Sequence, residues 1–83
     1  MPTIVLVDGL ELKIFCHDHL PPHVHVFARA CEAIFLLNCA EETVSLRNNY
    51  RFKSRELKRI RGLVQKHQAL LCEAWEEIHG DLG

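Results

Sequence analysis

Apolar and polar residues alternate along the first half of this chain and recur every three or four residues along its last third. Thr3-Ile4-Val5-Leu6-Val7 is rich in β-branched residues and predicts a strand. Asp8-Gly9 follows, a pair favoured in two-residue hairpin turns because both positions need positive φ. Leu10 to Cys16 predicts a second strand, with Leu10, Leu12, Ile14 and Cys16 on one face and Glu11, Lys13 and Phe15 on the other. A third strand spans roughly His23 to Ala28. Its Val24, Val26 and Ala28 are directed to the core, and His23, His25 and Phe27 to a groove or solvent. Arg29-Ala30-Cys31 reads as a turn, and Glu32 to Leu37 as a fourth strand apolar enough to be central. Residues 38–41 form another turn and Glu42 to Leu46 a short fifth strand.

Arg47 to Lys53, with its Asn48-Asn49 turn signal, reads as a connector. Ser54 is the expected N-cap, with Glu56 in the first turn. Leu57, Ile60, Val64, His67, Leu71, Ala74 and Ile78 then form a stripe at helical spacing, widened by Leu63, Leu70 and Trp75. Gly80 supplies the stop. The expected fold is α+β: a small antiparallel sheet of four to five N-terminal strands packed against a long C-terminal helix of roughly 25 residues, straight or broken once near Gly62 or His67. At 83 residues and 48% apolar, residues 1–83 make one domain with a modest core.

No apolar run approaches the roughly 20 residues that span a bilayer, and the start lacks a signal-peptide n-region, so the expectation is a cytoplasmic protein with no membrane partner. Cys16, Cys31, Cys39 and Cys72 form no C-x-x-C pair and are expected as reduced, mostly buried thiols. The net charge of −1 hides a strong polarity. Residues 47–66 carry Arg47, Arg51, Lys53, Arg55, Lys58, Arg59, Arg61 and Lys66 against Glu56 alone, between two acidic blocks. The basic half of the helix comes first, the reverse of what the helix dipole favours. Arg55, Lys58, Arg59 and Lys66 project away from the apolar stripe, as a solvated face or as a docking surface for phosphates or an acidic protein.

The densest chemistry lies in His17-Asp18-His19-Leu20-Pro21-Pro22-His23-Val24-His25. The double proline makes a stiff elbow. After it, strand alternation sends His23 and His25 to one face, and the elbow folds Asp18 and His19 back toward them.

The segments Met1-Pro2-Thr3-Ile4, Asp18-His19-x-Pro21-Pro22-His23-x-His25 and Leu70-Leu71-x-x-x-Trp75, with the hairpin glycine, resemble a family of small bacterial proteins labelled a domain of unknown function. Some of its members are named DhiT-like toxins and are encoded beside a small antitoxin. The resemblance spans nearly the whole chain and implies an α+β fold, a type II toxin–antitoxin setting and a cognate antitoxin partner. It supplies no mechanism.

Three readings of the elbow follow. In the first, it is a metal-independent ribonuclease with no cofactor: His19, His23 and His25 supply the acid and base, and Asp18 orients an imidazole. Arg51, Lys53, Arg55, Lys58 and Arg59 would hold RNA, or a protein partner, with Tyr50 and Phe52 as stacking surfaces. In the second, Asp18, His19, His23 and His25 ligate a divalent metal such as zinc. In the third, the domain blocks a cellular target without catalysis. Cysteine chemistry ranks low, because Cys16 and His17 point apart on extended backbone. His67 reads as a packed histidine. The first and fifth strands are sheet edges open to the antitoxin or to a second copy in a homodimer.

Overall fold

A computed structural model of the protein describes residues 3–80; the opening Met1-Pro2 of the resemblance and Asp81 of the acidic tail lie outside the described residues. Asp8 and Gly9, both at positive φ (48° and 79°), turn strand β1 (Thr3–Val7) directly into β2 (Leu10–Ile14). The chain continues through β3 (His23–Ala28), β4 (Cys31–Leu36) and β5 (Ser45–Tyr50). Every strand pairs antiparallel with the next, giving one meander in the order β1-β2-β3-β4-β5. Two helices, α1 (Ser54–Lys66) and α2 (Gln68–His79), complete the α+β domain.

One face of the sheet makes the core. Leu10, Leu12 and Ile14, Val24 and Val26, and Ala33, Phe35 and Leu37 are buried together with Ile60, Val64, Leu71 and Trp75 of the helices. The register, which the sequence leaves open, pairs Leu12 with Val26 and puts Leu12, Ile14, Val24 and Val26 on the covered face; turning either strand over by one residue would expose its aliphatic set. Gly80, at φ 83°, ends α2 with its N–H donating to Glu76. No helix among the described residues is long and apolar enough to cross a membrane.

Several boundaries differ from expectation. β2 stops at Ile14, because the chain turns at once, with Asp18 N–H donating to the Phe15 carbonyl (3.1 Å). β4 starts one residue early, at Cys31. The fifth strand is Ser45–Tyr50, not 42–46, so Asn48 and Asn49 lie in a strand rather than a connector. They pair with Ile34 and Ala33, and the register shift between Ile34 and Phe35 absorbs the mismatch. The N-cap is Lys53, not Ser54; Glu56 accepts its N–H at 3.3 Å. Leu70 is half exposed rather than part of the stripe.

In place of one long helix there are two, meeting at His67 and not at Gly62. The His67 ring Nδ1 donates to the Leu63 carbonyl at 2.8 Å, entering the ladder of backbone bonds where the helix would otherwise continue. Gln65 and Gln68 flank the break and are spent on the 37–44 loop. Gln65 accepts from Val44 N–H (2.8 Å) and donates to Glu42, while Gln68 donates to the Leu37, Asn38 and Glu41 carbonyls.

The same loop is stapled to α2 by a disulfide between Cys39 and Cys72, whose Cα atoms are 5.9 Å apart. The expectation of four reduced thiols is thus corrected: only Cys16 and Cys31 are free. The bridge closes a loop with a sequence separation of 33. Chain-entropy arguments assign such a closure about 4 kcal/mol. Urea unfolding of the oxidised protein and of Cys72→Ser should differ by that amount; equal midpoints would show that the loop is held by its hydrogen bonds alone.

Candidate functional site

The turn at 15–18 and the prolines at 21–22 decide where the acidic and imidazole groups go. Phe15 N–H donates to Asp18 Oδ2 at 3.0 Å, which aims the other carboxylate oxygen, Oδ1, at β3. The Leu20–Pro21 bond is cis, and the Pro22 carbonyl accepts Leu37 N–H (3.0 Å), anchoring the elbow to the end of β4. His23 and His25 then leave β3 on one side, their ring centroids 5.2 Å apart.

Three atoms converge. Asp18 Oδ1 lies 3.3 Å from His25 Nε2 and 3.5 Å from His23 Nε2, and all three lie within 4.8 Å of one another. The other nitrogen of each ring is already committed. His23 Nδ1 is 2.9 Å from the Pro21 carbonyl oxygen, which can only accept, so Nδ1 carries the proton. His25 Nδ1 is 3.0 Å from Glu32 Oε2, again an acceptor. With Nδ1 so committed, a ring that carries no second proton presents a bare Nε2 lone pair to the carboxylate. Three acceptors facing one another repel unless a cation, either a proton or a metal ion, lies between them.

The surroundings are apolar. His25 sits between Phe15, edge-on at 4.9 Å, and Phe27, stacked at 6.2 Å. Trp75 of α2 covers His23 at 5.3 Å. His23 is only 6% exposed, so the expectation that both imidazoles face a groove or solvent fails for His23. Lys13 pairs with His25 across the sheet, yet its ammonium turns away to Glu11 (3.4 Å) and lies over the Phe27 ring, so it is not directed at Asp18 or Glu32.

Of the four residues expected at this site, the structure brings together Asp18, His23 and His25; His19 is exposed and outside the group. Cys16 and His17 do not point apart: the turn brings Cys16 Sγ to 3.3 Å from His17 Nδ1, both exposed. His67 packs at the helix break, as expected of a structural histidine. Glu32 was missed. Its signal was present, because a two-residue turn at 29–30 pairs Phe27 with Glu32 and makes Glu32 the diagonal neighbour of His25.

The basic residues are elsewhere. Arg51, Lys53 and Arg55 line a depression of about 810 Å³ with Arg29, Cys31 and Glu56, at the β3–β4 turn. That is the end of β3 opposite His23. Lys58 borders an apolar hollow with Leu46 and Leu57, and Arg59 a more polar one with Asp8, Arg29 and Glu56. Tyr50 is 52% exposed at the end of β5, whereas Phe52 is buried and no stacking surface.

A family model described as a domain of unknown function (DUF4160) matches residues 9–76, which includes the whole elbow and Trp75. No curated protein matches the chain. No solved structure does either.

Proposed function

Because the chain belongs to the DUF4160 family, whose description carries no activity, we infer its role from the site: it is a metal-binding domain in which Asp18, His23 and His25 hold one divalent transition-metal ion. The single observation behind this reading is that both Nδ1 atoms are spent on acceptors, leaving Nε2, Nε2 and Oδ1 aimed at one point. Metal-ligating histidines are oriented in this way, with the second ring nitrogen on a carbonyl or carboxylate. Both spacings to the Asp18 oxygen fit as well, and the two imidazole nitrogens lie within 4.8 Å of each other. A tetrahedral ion with bonds of about 2.0–2.1 Å sets its ligands about 3.3 Å apart, against 3.3 and 3.5 Å here. Asp18 and Glu32 bring two negative charges to balance a divalent ion.

Two histidines and one carboxylate leave a coordination position for water or substrate, the pattern of catalytic rather than structural centres. Metal-assisted hydrolysis is the reaction class such a position serves. In the toxin setting implied by the resemblance, the centre is the working part of the toxin. The metal-free ribonuclease reading has less support, since both Nε2 atoms face Asp18 and His23 is covered.

The test is a calorimetric titration of EDTA-treated protein with zinc, repeated with cobalt to read geometry from its visible spectrum. Wild type should take up one equivalent and His23→Ala/His25→Ala none. Glu32→Gln should bind about ten- to a hundredfold more weakly, while His19→Ala matches wild type. No uptake by wild type overturns the reading in favour of a protonated imidazole paired with Asp18. RNA cleavage that persists in EDTA favours the ribonuclease instead.

A further inference from the structure

The depression at the β3–β4 turn has no part in the metal centre. We propose that it is a binding cup for the phosphodiester backbone of a single-stranded nucleic acid. Arg29 comes from the β3–β4 turn, and Arg51, Lys53 and Arg55 from the 51–55 segment that leads from β5 into α1, so two stretches distant in sequence deliver four cations to one concavity of about 810 Å³. Glu56 is the one acid in the lining, and it is already paired with Arg29 at 2.9 Å. The cup therefore carries a net charge of +3 in the free protein.

Nothing in the fold calls for this arrangement. Like charges gathered at the positive end of a helix oppose folding rather than assist it. Arg29 (φ 46°) and Arg51 (φ 78°) also stand in left-handed backbone, which suits glycine or asparagine and disfavours arginine. Core packing does not account for them either, since Arg29, Arg51, Lys53 and Arg55 are all exposed. An anion that engages several of them at once supplies the missing compensation. Three of the four are arginines, whose planar forks match phosphate oxygens in pairs.

Tyr50 decides between a nucleic acid and an acidic protein. It stands opposite Glu32 in the β4–β5 pairing, immediately precedes Arg51 in the chain, and is 52% exposed, outside the residues that line the cup. An exposed aromatic one residue from a cationic groove suits a single strand, which can lay its phosphates in the groove and stack a neighbouring base on the ring.

The test is fluorescence anisotropy with short labelled single strands of RNA and of DNA, run in EDTA so that the outcome is independent of the metal centre. Wild type should bind both, with log K falling against log salt at a slope near −2, about −0.7 for each of three phosphates. Arg51→Gln/Lys53→Gln/Arg55→Gln should bind at least tenfold more weakly with a flattened slope, and Tyr50→Ala should weaken binding without changing the slope. Glu56→Gln, which releases Arg29, should tighten it. Circular dichroism checks that each variant is folded. The proposal is overturned if the triple variant binds like wild type, if Lys58→Gln/Lys66→Gln loses as much, or if polyglutamate competes as well as RNA at equal charge.

Discussion

Zinc in thousandfold excess over its dissociation constant should stabilise the wild-type domain by about 4 kcal/mol, and for a chain of this size raise Tm by roughly 15–30 °C. The effect depends on the ion binding the folded form far better than the unfolded one. Asp18, His23 and His25 are close in sequence, so the unfolded chain retains some affinity. Folding adds orientation: the Pro21 carbonyl and Glu32 set which nitrogen of each ring is bare, and Phe15 N–H fixes the carboxylate. Differential scanning calorimetry with EDTA and with zinc measures the shift. His25→Ala, which keeps the rest of the elbow, should abolish it. An equal rise in that variant would place the ion on the exposed His17 and His19 instead and sink the assignment.

What could be read from the chain and what could not divides by the range of the interaction. Asp8-Gly9 specified its turn because only two adjacent backbone conformations matter. The convergence of Asp18 with His23 and His25 was legible for a similar reason: strand alternation and a proline elbow act within nine residues. The break at His67 was legible as one of two candidate places, and a local contact helps make it, the ring nitrogen taking the Leu63 carbonyl four residues back. The glutamines that tie the break to the 37–44 loop were not legible. Asn48 and Asn49 carry a turn signal that β4 overrides by pairing with them. Cys39 and Cys72 are 33 positions apart, and no local pattern announces that the loop and α2 meet. The burial of His23 belongs with these, because Trp75, 52 positions later, is what covers it.

That cover makes Trp75 the position where core and site are coupled. Trp75→Ala should cost about 3–5 kcal/mol by removing the largest fully buried side chain and leaving a cavity. A domain of this length has a total stability of about 4–12 kcal/mol, so the variant loses a large share of it and in the weaker case unfolds. Trp75→Phe separates the two consequences. It keeps a ring against His23 and deletes an indole N–H that has no partner among the described residues, so it forfeits packing but no hydrogen bond. Its cost should be well under half that of the alanine variant, with zinc affinity close to wild type. Chemical denaturation followed by zinc titration of both variants measures the pair. If Trp75→Ala stays within about 1 kcal/mol of wild type, below the range for such truncations, the helix is not holding His23 in place. The burial of the imidazole would then be a property of the sheet alone.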